Sequence, residues 1–186
     1  MKKLLLIVVV CIIVAALVFR YTTGKISQIS QGQSMNMTQT VRIESSAFKN
    51  NEYIPDVYTC VGKGINPPLN FSNIPKNTKT LALLVTDPDA PGGVWTHWVL
   101  YNIPSSQTYI AQNSIPNGAS EGISSGHTQG YEPPCPPSGT HRYIFSLYAL
   151  SITVNLNKPS KESFEQAITG KILAKGELIG LYSKHR

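Results

Sequence analysis

Charged side chains are scarce in this sequence: they make up 14% of its 186 residues, whereas hydrophobic residues make up 41%. Intrinsically disordered chains have the opposite balance, so the composition excludes that class. The 14 glycines and 13 prolines follow no repeat, which excludes collagen and favours loops and β-structure over helix bundles. A chain of this length is expected to form one domain, with room for a short appendage.

Acidic residues are missing from the N-terminal part of the chain, since none precedes Glu44. Lys2, Lys3, Arg20 and Lys25 therefore supply four of the six net positive charges, and the rest of the chain carries only +2. No cluster of Lys and Arg remains there to neutralise the phosphates of a nucleic acid. We therefore expect no nucleic-acid partner.

The N-terminus has no charge between Lys3 and Arg20, and residues 4–19 form an unbroken apolar run of 16. Basic residues before such a run are typical of a signal peptide, and a spanning helix needs about 17–25 residues. Because no small-residue cleavage site follows, residues 1–20 are predicted to be an uncleaved membrane anchor. A cleaved signal peptide is the alternative.

The segment after the anchor, residues 21–40, has no periodic apolar residues and is rich in Ser, Thr and Gln. This composition predicts a flexible tether. Residues 41–186 then form the folded domain. With Lys2 and Lys3 on the inner side of the membrane, that domain is expected in the periplasm or at the cell exterior, or as a secreted protein if the signal is cleaved.

Proline excludes long helices from the middle of the domain, because 12 of the 13 prolines lie between Pro55 and Pro137. Apolar or alternating runs between turn residues predict strands there. The predicted strands span residues 80–87, 95–103 and 141–150, with shorter ones near 41–48, 56–60 and 69–72.

The pattern changes to a helical one only near the C-terminus. Ser160 is placed to cap a helix over residues 160–171, and residues 170–184 are predicted to form a second helix, interrupted by Gly176. The expected fold is mainly β: a sandwich of two packed sheets with short C-terminal helices at its edge.

Ionisable side chains stand at or near the ends of the three longest predicted strands. Asp87 and Asp89 lie in a stiff Asp-Pro-Asp-Ala-Pro turn, His97 lies in the next strand, and His141 opens the last one. Each residue alone is typical of an ordinary turn or a buried histidine. Together with Tyr143 they would form a polar concavity, which is typical of a binding site.

Strand alternation predicts which of these side chains face the same way. In the strand over residues 95–103, Trp95, His97 and Val99 are expected on one face and Trp98 on the other.

Several motifs, in this order, resemble the phosphatidylethanolamine-binding protein family, also called the Raf-kinase-inhibitor-like family, in its bacterial branch. The motifs are Tyr58-Thr-Cys60, Pro67-Pro-Leu-x-Phe71, Asp87-Pro-Asp-Ala-Pro91, Trp95-x-His97 and Pro136-Pro137-x-Gly139-x-His141-Arg142-Tyr143. The resemblance covers residues 45 to 183.

The resemblance implies a Greek-key-like β-sandwich with a small pocket at one end, which binds anionic groups such as phosphate, phosphorylethanolamine or acetate. A histidine suits this role, because it donates to an anion and adds charge when protonated. The ligand-binding residues implied by the family's motifs are Asp87, His97, His141 and Tyr143, with Pro91, Trp95, Pro136 and Pro137 as the walls.

The resulting hypothesis is a non-catalytic binding protein of the cell envelope. It would dock a small anion or a phospholipid head group, contact the membrane through residues 4–19, and modulate a protein partner of unknown identity. The alternative is a hydrolase with His97 or His141 as the acid–base group. Against this, the sequence has no Gly-x-Ser-x-Gly motif and no nucleophile paired with a base in a recognisable motif.

A metal site is a further alternative, because Asp87, Asp89, His97 and His141 are of the residue types that bind metals. The resemblance implies anion binding without a metal. No metal and no cofactor are therefore expected.

Cysteine is rare, with three residues in the chain. Cys11 lies inside the apolar run, which leaves Cys60 and Cys135 as a pair in a domain expected to be exported and open to oxidation. In the resembling family the two corresponding loops border the same end of the sandwich. A disulfide between Cys60 and Cys135 is therefore predicted, with two unpaired thiols as the alternative.

Overall fold

The structure, a computed structural model, describes residues 40–184, which form two β-sheets and one α-helix. The strands are β1 (Arg42–Glu44), β2 (Glu52–Tyr53), β3 (Leu69–Ser72), β4 (Thr80–Asp87), β5 (Trp95–Pro104), β6 (Tyr109–Ile110), β7 (Ser120–Glu121), β8 (His141–Leu150) and β9 (Ile172–Tyr182). The helix is α1 (Lys161–Ile168), and a short 3-10 helix spans Asp56–Tyr58.

The larger sheet has the strand order β2-β9-β8-β4-β5-β7, and the smaller one has the order β1-β3-β6. Every described pairing is antiparallel except that of β2 with β9. The prediction of a mainly β, two-sheet fold is confirmed. The strands predicted over 69–72, 80–87 and 141–150 have the bounds of β3, β4 and β8, and β5 is one residue longer than predicted.

The predicted anchor and the tether up to residue 39 lie outside the described residues. Within residues 40–184, no helix is long and apolar enough to cross a membrane. The anchor, the tether and the boundaries of the domain stay predictions.

Strand β4 shows where the core lies, because it is covered on both faces. Leu83 and Val85 pack in the cluster between the two sheets, whereas Ala82 and Leu84 pack in a second cluster on the outer face of the larger sheet. A strand buried on both faces needs apolar residues at successive positions. This explains the apolar run of β4.

Helix α1 covers the second cluster. Its N-cap is Ser160, as predicted, whose hydroxyl accepts a hydrogen bond from the amide of Ser163. Phe164 is fully buried, and its ring centroid lies 6.3 Å from that of Tyr101 and 6.5 Å from that of Tyr148. The buried face of α1 therefore rests on aromatic residues of β5 and β8.

The prediction of a second helix over residues 170–184 is wrong, because this segment is strand β9, paired with β8. Ala174 and Leu178 are buried on its inner face, and the burial alternates with a period near two. A Cβ placed on Gly176 would lie 1.9 Å from the carbonyl oxygen of Val41. Gly176 therefore permits the chain before β1 to cross β9 closely.

The strand predicted near 56–60 is also wrong. Residues Asp56–Tyr58 form a 3-10 helix, in which the amide of Tyr58 donates to the carbonyl of Pro55. The strand predicted near 41–48 is shorter than expected, since only Arg42–Glu44 pairs with β3.

Strand β5 departs from regular alternation at His97. Trp98 and Thr96 have successive partners in β4, so His97 lies in a β-bulge between them. Val99 belongs to the outer cluster, whereas the ring of His97 contacts that of Tyr143 in the inner cluster. The expectation that His97 and Val99 share a face is therefore wrong.

Candidate functional site

One cavity, of about 480 Å³, opens at an edge of the larger sheet where β4 ends and β5 and β8 begin. These ends meet because β4 is antiparallel to both neighbours. The volume suits a small-molecule ligand. The structure brings all eight predicted ligand-binding residues to this cavity, namely Asp87, Pro91, Trp95, His97, Pro136, Pro137, His141 and Tyr143.

Asp87 and His141 form a buried pair, with 2.7 Å between Oδ2 of the carboxylate and Nδ1 of the imidazole. The other carboxylate oxygen accepts from the backbone amide of Asp89 at 2.8 Å. An ionised carboxylate only accepts, so Nδ1 of His141 carries a proton. In the neutral imidazole, Nε2 is then an acceptor.

His97 is held in the same tautomer by a different partner. Its Nδ1 donates to the backbone carbonyl of Glu132 at 2.8 Å, because a carbonyl oxygen can only accept. Burial lowers the pKa of His97, although the Glu132 carbonyl partly opposes that shift. The neutral form of His97 therefore also presents an acceptor at Nε2.

Tyr143 is among the residues that line the cavity. The residue is fully buried, and its hydroxyl proton has no acceptor among residues 40–184, although the backbone amide of Cys135 lies near the hydroxyl oxygen. Burial raises the pKa of Tyr143 far above its ordinary value, so the hydroxyl keeps its proton. The ring centroid lies 5.1 Å from that of His97 in an edge-on contact. Tyr143 thus offers a buried donor next to two imidazoles.

The charges that line the cavity are acidic. Asp87 and Glu132 are among the lining residues, and no lysine or arginine of residues 40–184 is. Arg142 lies next to His141 in sequence, but it is exposed and binds both carboxylate oxygens of Asp89 at 2.7 and 2.8 Å. Positive charge inside the cavity must therefore come from a protonated histidine or from the ligand.

Asp89 is not brought into the cavity, although it was considered as a metal ligand together with Asp87, His97 and His141. Hydrogen bonding to Arg142 lowers the pKa of Asp89 to about 2. Within the described part of the chain, no group of three or more His, Cys, Asp and Glu residues is arranged to hold a metal ion.

The sequence did not predict Glu132, Ser125 or Val94 as cavity residues, yet all three line it. The carboxylate of Glu132 accepts from Trp95 Nε1 and from the amide of Gly126, each at 3.1 Å. These residues lie in loops whose course depends on tertiary contacts. The position of Glu132 just before the proline-rich loop was the one available signal.

The predicted disulfide between Cys60 and Cys135 is present in the structure, with 5.4 Å between the two Cα atoms. Cys135 also lines the cavity. The bridge therefore joins the wall of the cavity to the segment that follows the 3-10 helix.

Comparison with known proteins identifies the family of this chain. The chain matches the family model "Phosphatidylethanolamine-binding protein" over residues 44–183. The chain belongs to this family. The resemblance in the sequence motifs is thereby confirmed, and the match covers the strands that carry the cavity.

Relatives of this chain occur in archaea and bacteria. It is 43% identical over 150 residues to a UPF0098 protein of Methanothermobacter thermautotrophicus, covering 77% of this chain and 99% of the relative. It is 42% identical over 153 residues to a UPF0098 protein of Aquifex aeolicus, covering 77% and 89%.

Two solved structures are similar to this fold. One is a phosphatidylethanolamine-binding protein homologue from Chlamydia trachomatis, with a TM-score of 0.76 and 38% identity, over 79% of this chain and 99% of that one. The other is YbcL of E. coli, described as a member of the mammalian family, with a TM-score of 0.74 and 28% identity, over 78% and 99%.

Proposed function

We propose that this chain is a non-catalytic binding protein whose cavity takes a small anionic group, such as phosphate or a phosphorylethanolamine head group. The observation that carries the proposal is the buried hydroxyl of Tyr143, whose proton has no acceptor in the described part of the chain, beside His97 and His141. A buried hydroxyl proton without an acceptor costs stability unless a ligand or water satisfies it. An anionic oxygen in the cavity would accept from that hydroxyl.

Binding of an anion is coupled to uptake of a proton in this proposal. The Nδ1 protons of His97 and His141 are already used by Glu132 and Asp87. Their Nε2 atoms donate only when the imidazoles are protonated. A protonated imidazole would add a charge-assisted hydrogen bond, so affinity rises as the pH falls toward the lowered pKa of His97.

A ligand that carries an ammonium group fits the cavity better than a bare anion. The carboxylates of Asp87 and Glu132 repel an anion and attract a cation, and in the described part of the chain no lysine or arginine side chain lines the cavity to offset them. Phosphorylethanolamine has both charges. We therefore expect it to bind more tightly than a phosphate ester without the amine.

The proposal of binding without catalysis rests on the hydroxyl groups near the histidines. Ser125 is the one serine among the described residues that lines the cavity, and its Oγ accepts from the amide of Thr96 at 2.9 Å. It is not hydrogen-bonded to His97 or His141, so it is not an activated nucleophile in this arrangement.

A hydrolase remains the second candidate because of one observation. The Asp87–His141 pair has the arrangement in which a carboxylate orients a histidine base. Such a base would activate a water molecule against a phosphate or carboxylate ester. Turnover of chromogenic esters and phosphoesters that His141→Asn abolishes would establish this function, whereas lack of turnover supports binding alone.

We also propose that the domain lies outside the membrane, as a protein of the cell envelope. The apolar residues 4–19 and the Cys60–Cys135 bridge support this location, because disulfides persist in oxidising compartments. Full-length protein should stay with membranes after a high-salt wash. A mature N-terminus between residues 17 and 40 would show instead that the segment is a cleaved signal.

The test of the binding function is calorimetric titration with phosphate and with phosphorylethanolamine at pH 6. His141→Asn removes a buried cavity imidazole, and His127→Asn is its matched control at an exposed position outside the cavity. Loss of one charge-assisted hydrogen bond should weaken affinity by about tenfold or more in the first variant. Unchanged affinity in a folded His141→Asn protein would refute the assigned site.

A further inference from the structure

The wall of the cavity contains a segment that can form few backbone hydrogen bonds. It is the run Pro133-Pro134-Cys135-Pro136-Pro137, and we call it the proline wall. All of its residues except Pro134 line the cavity. Proline has no amide proton, so Cys135 is the one backbone donor in the proline wall. Hydrogen bonding alone is therefore a weak means of fixing it.

The backbone hydrogen bonds that hold this segment lie at Glu132, just before the proline wall, and at Pro134 in its N-terminal half. The amide of Glu132 donates to the carbonyl of His97 at 2.8 Å, and the amide of Cys60 donates to the carbonyl of Pro134 at 3.0 Å. No hydrogen bond joins residues 136–140 to the remainder of the described chain. The next fixed point is strand β8, which begins with the site residue His141.

The disulfide is the covalent restraint at the centre of this segment. Cys135 is exposed and Cys60 is half-buried, so a reductant in solution can reach the bridge. Exposed disulfides tend to be more easily reduced than buried structural ones. Opening the bridge would leave the buried Pro136 held by its packing, whereas the exposed Pro137 would be tethered only through its neighbours in the chain.

We propose that the redox state of the Cys60–Cys135 bridge controls the affinity of the cavity. The oxidised protein is the tight-binding form, and the reduced protein the weak-binding form. In the switching step a dithiol attacks the bridge through a mixed disulfide. The dithiol supplies two electrons and two protons, which leaves thiols at Cys60 and Cys135 and an intramolecular disulfide in the reductant.

The physical basis is the cost of ordering the cavity wall. With the bridge closed, Pro136 and Pro137 stand at the cavity before the ligand arrives. With the bridge open, part of the binding free energy is spent on bringing Pro137 back. Because binding and reduction are linked equilibria, a ligand must protect the bridge by the same factor by which the bridge strengthens binding. This inference rests on the proposed binding function.

The first experiment compares ligand affinity in the two redox states. Full-length protein is titrated with phosphorylethanolamine at pH 6, first oxidised and then after reduction with dithiothreitol, and circular dichroism checks that it stays folded. We expect affinity to fall by about tenfold on reduction and to return on reoxidation. Cys60→Ser/Cys135→Ser should bind like the reduced protein and should not respond to the reductant, although it retains Cys11.

The second experiment uses the reciprocal effect and needs no variant. The dithiothreitol concentration that half-reduces the bridge is measured with and without saturating phosphorylethanolamine, with sodium chloride at matched ionic strength as the control. With the ligand present, this dithiothreitol concentration should rise by a factor that matches the loss of affinity on reduction.

The outcomes separate this inference from the function on which it rests. If the oxidised protein binds neither phosphate nor phosphorylethanolamine, the proposed function fails, and this inference fails with it. If both redox states are folded and bind equally, only the redox control is wrong. Unfolding on reduction would also overturn it, because the bridge would then maintain the whole domain rather than the cavity wall.

Discussion

The strands β4, β5 and β8 bury different kinds of residues in their middle and at the end that borders the cavity. In the middle, Leu83 of β4 pairs with Leu100 of β5 on one side and with Leu147 of β8 on the other, and all three are fully buried. Each such side chain contributes about 1.5–3 kcal/mol by leaving water. Apolar burial and the backbone pairing of the strands together stabilise this region.

At the cavity end of these strands the buried residues are polar. Asp87, His97 and His141 are only 3–6% exposed. Burying such groups costs stability unless each finds a partner. Asp87 and His141 partner each other, and His97 uses a backbone carbonyl. The middle of the strands therefore buries apolar residues, whereas their end buries polar residues beside a cavity whose wall is joined to another segment by a disulfide.

Removing the bridge should have the largest effect on stability. Closing a loop between residues 75 apart stabilises a chain by about 4.5 kcal/mol in the entropy model. Cys60→Ser/Cys135→Ser should lower the free energy of unfolding by up to this amount, as measured in urea.

The presence of the bridge is checked by alkylating the wild-type protein under denaturing, non-reducing conditions. Of its three cysteines, only Cys11 should react. Three alkylated cysteines would show that the bridge does not form.

Truncating a leucine in the strand middle should come next. Leu83→Ala creates a cavity in the core between the sheets, so the free energy of unfolding should fall by about 2–5 kcal/mol. Val61→Ala, at a position that is 49% exposed, is the control and should change it by less than about 0.5 kcal/mol. If Leu83→Ala weakened ligand binding as strongly as His141→Asn, the two regions would not be separable.

Acid should destabilise the cavity end through His97. Burial lowers its pKa in the folded state, so folding favours the neutral ring. Its contribution is present above the ordinary histidine pKa and is lost as the pH falls through the lowered value, by at most about 1.4 kcal/mol per pH unit. The stability of His97→Gln should therefore fall less between pH 7 and pH 5 than that of the wild type. Parallel pH profiles would contradict this role.

The smallest effect is expected from Glu132→Gln, at the rim of the cavity. An exposed ion pair contributes about 0.2–1 kcal/mol, so phosphorylethanolamine should lose up to about fivefold in affinity. Ethyl phosphate, which lacks the amine, should bind no more weakly than before. Equal losses for both ligands in calorimetry would show that Glu132 does not contact an ammonium group.

The strand middles could be predicted from the sequence because their signals are local. β4 and β8 are apolar or alternating runs that end at turn residues, and their bounds follow from those residues. β9 could not be predicted this way, since its leucines and isoleucines are also compatible with a helix. Its pairing with β8 decides the structure. The role of Gly176 is visible only in the fold, where the backbone of Val41 lies too close to leave room for a side chain.

The cavity residues were predictable because motifs carried them, not because of their spacing. Strand alternation placed His97 on the wrong face. A bulge is defined by the pairing of two strands, so the sequence of β5 alone does not indicate it. Glu132 escaped prediction for a similar reason. Its backbone accepts from His97 and donates to it across a loop, a contact that depends on how the chain folds back.

The most direct test of the anion site is a count of the protons taken up on binding. Phosphorylethanolamine is titrated into the oxidised protein at pH 7.5, well above the ordinary histidine pKa and above that of the phosphate, in buffers of different ionisation enthalpy. The dependence of the observed heat on buffer gives the number of protons. Because both Nδ1 atoms are occupied, the site predicts an uptake approaching one proton, which His141→Asn reduces. No uptake, or release of a proton, would contradict the account.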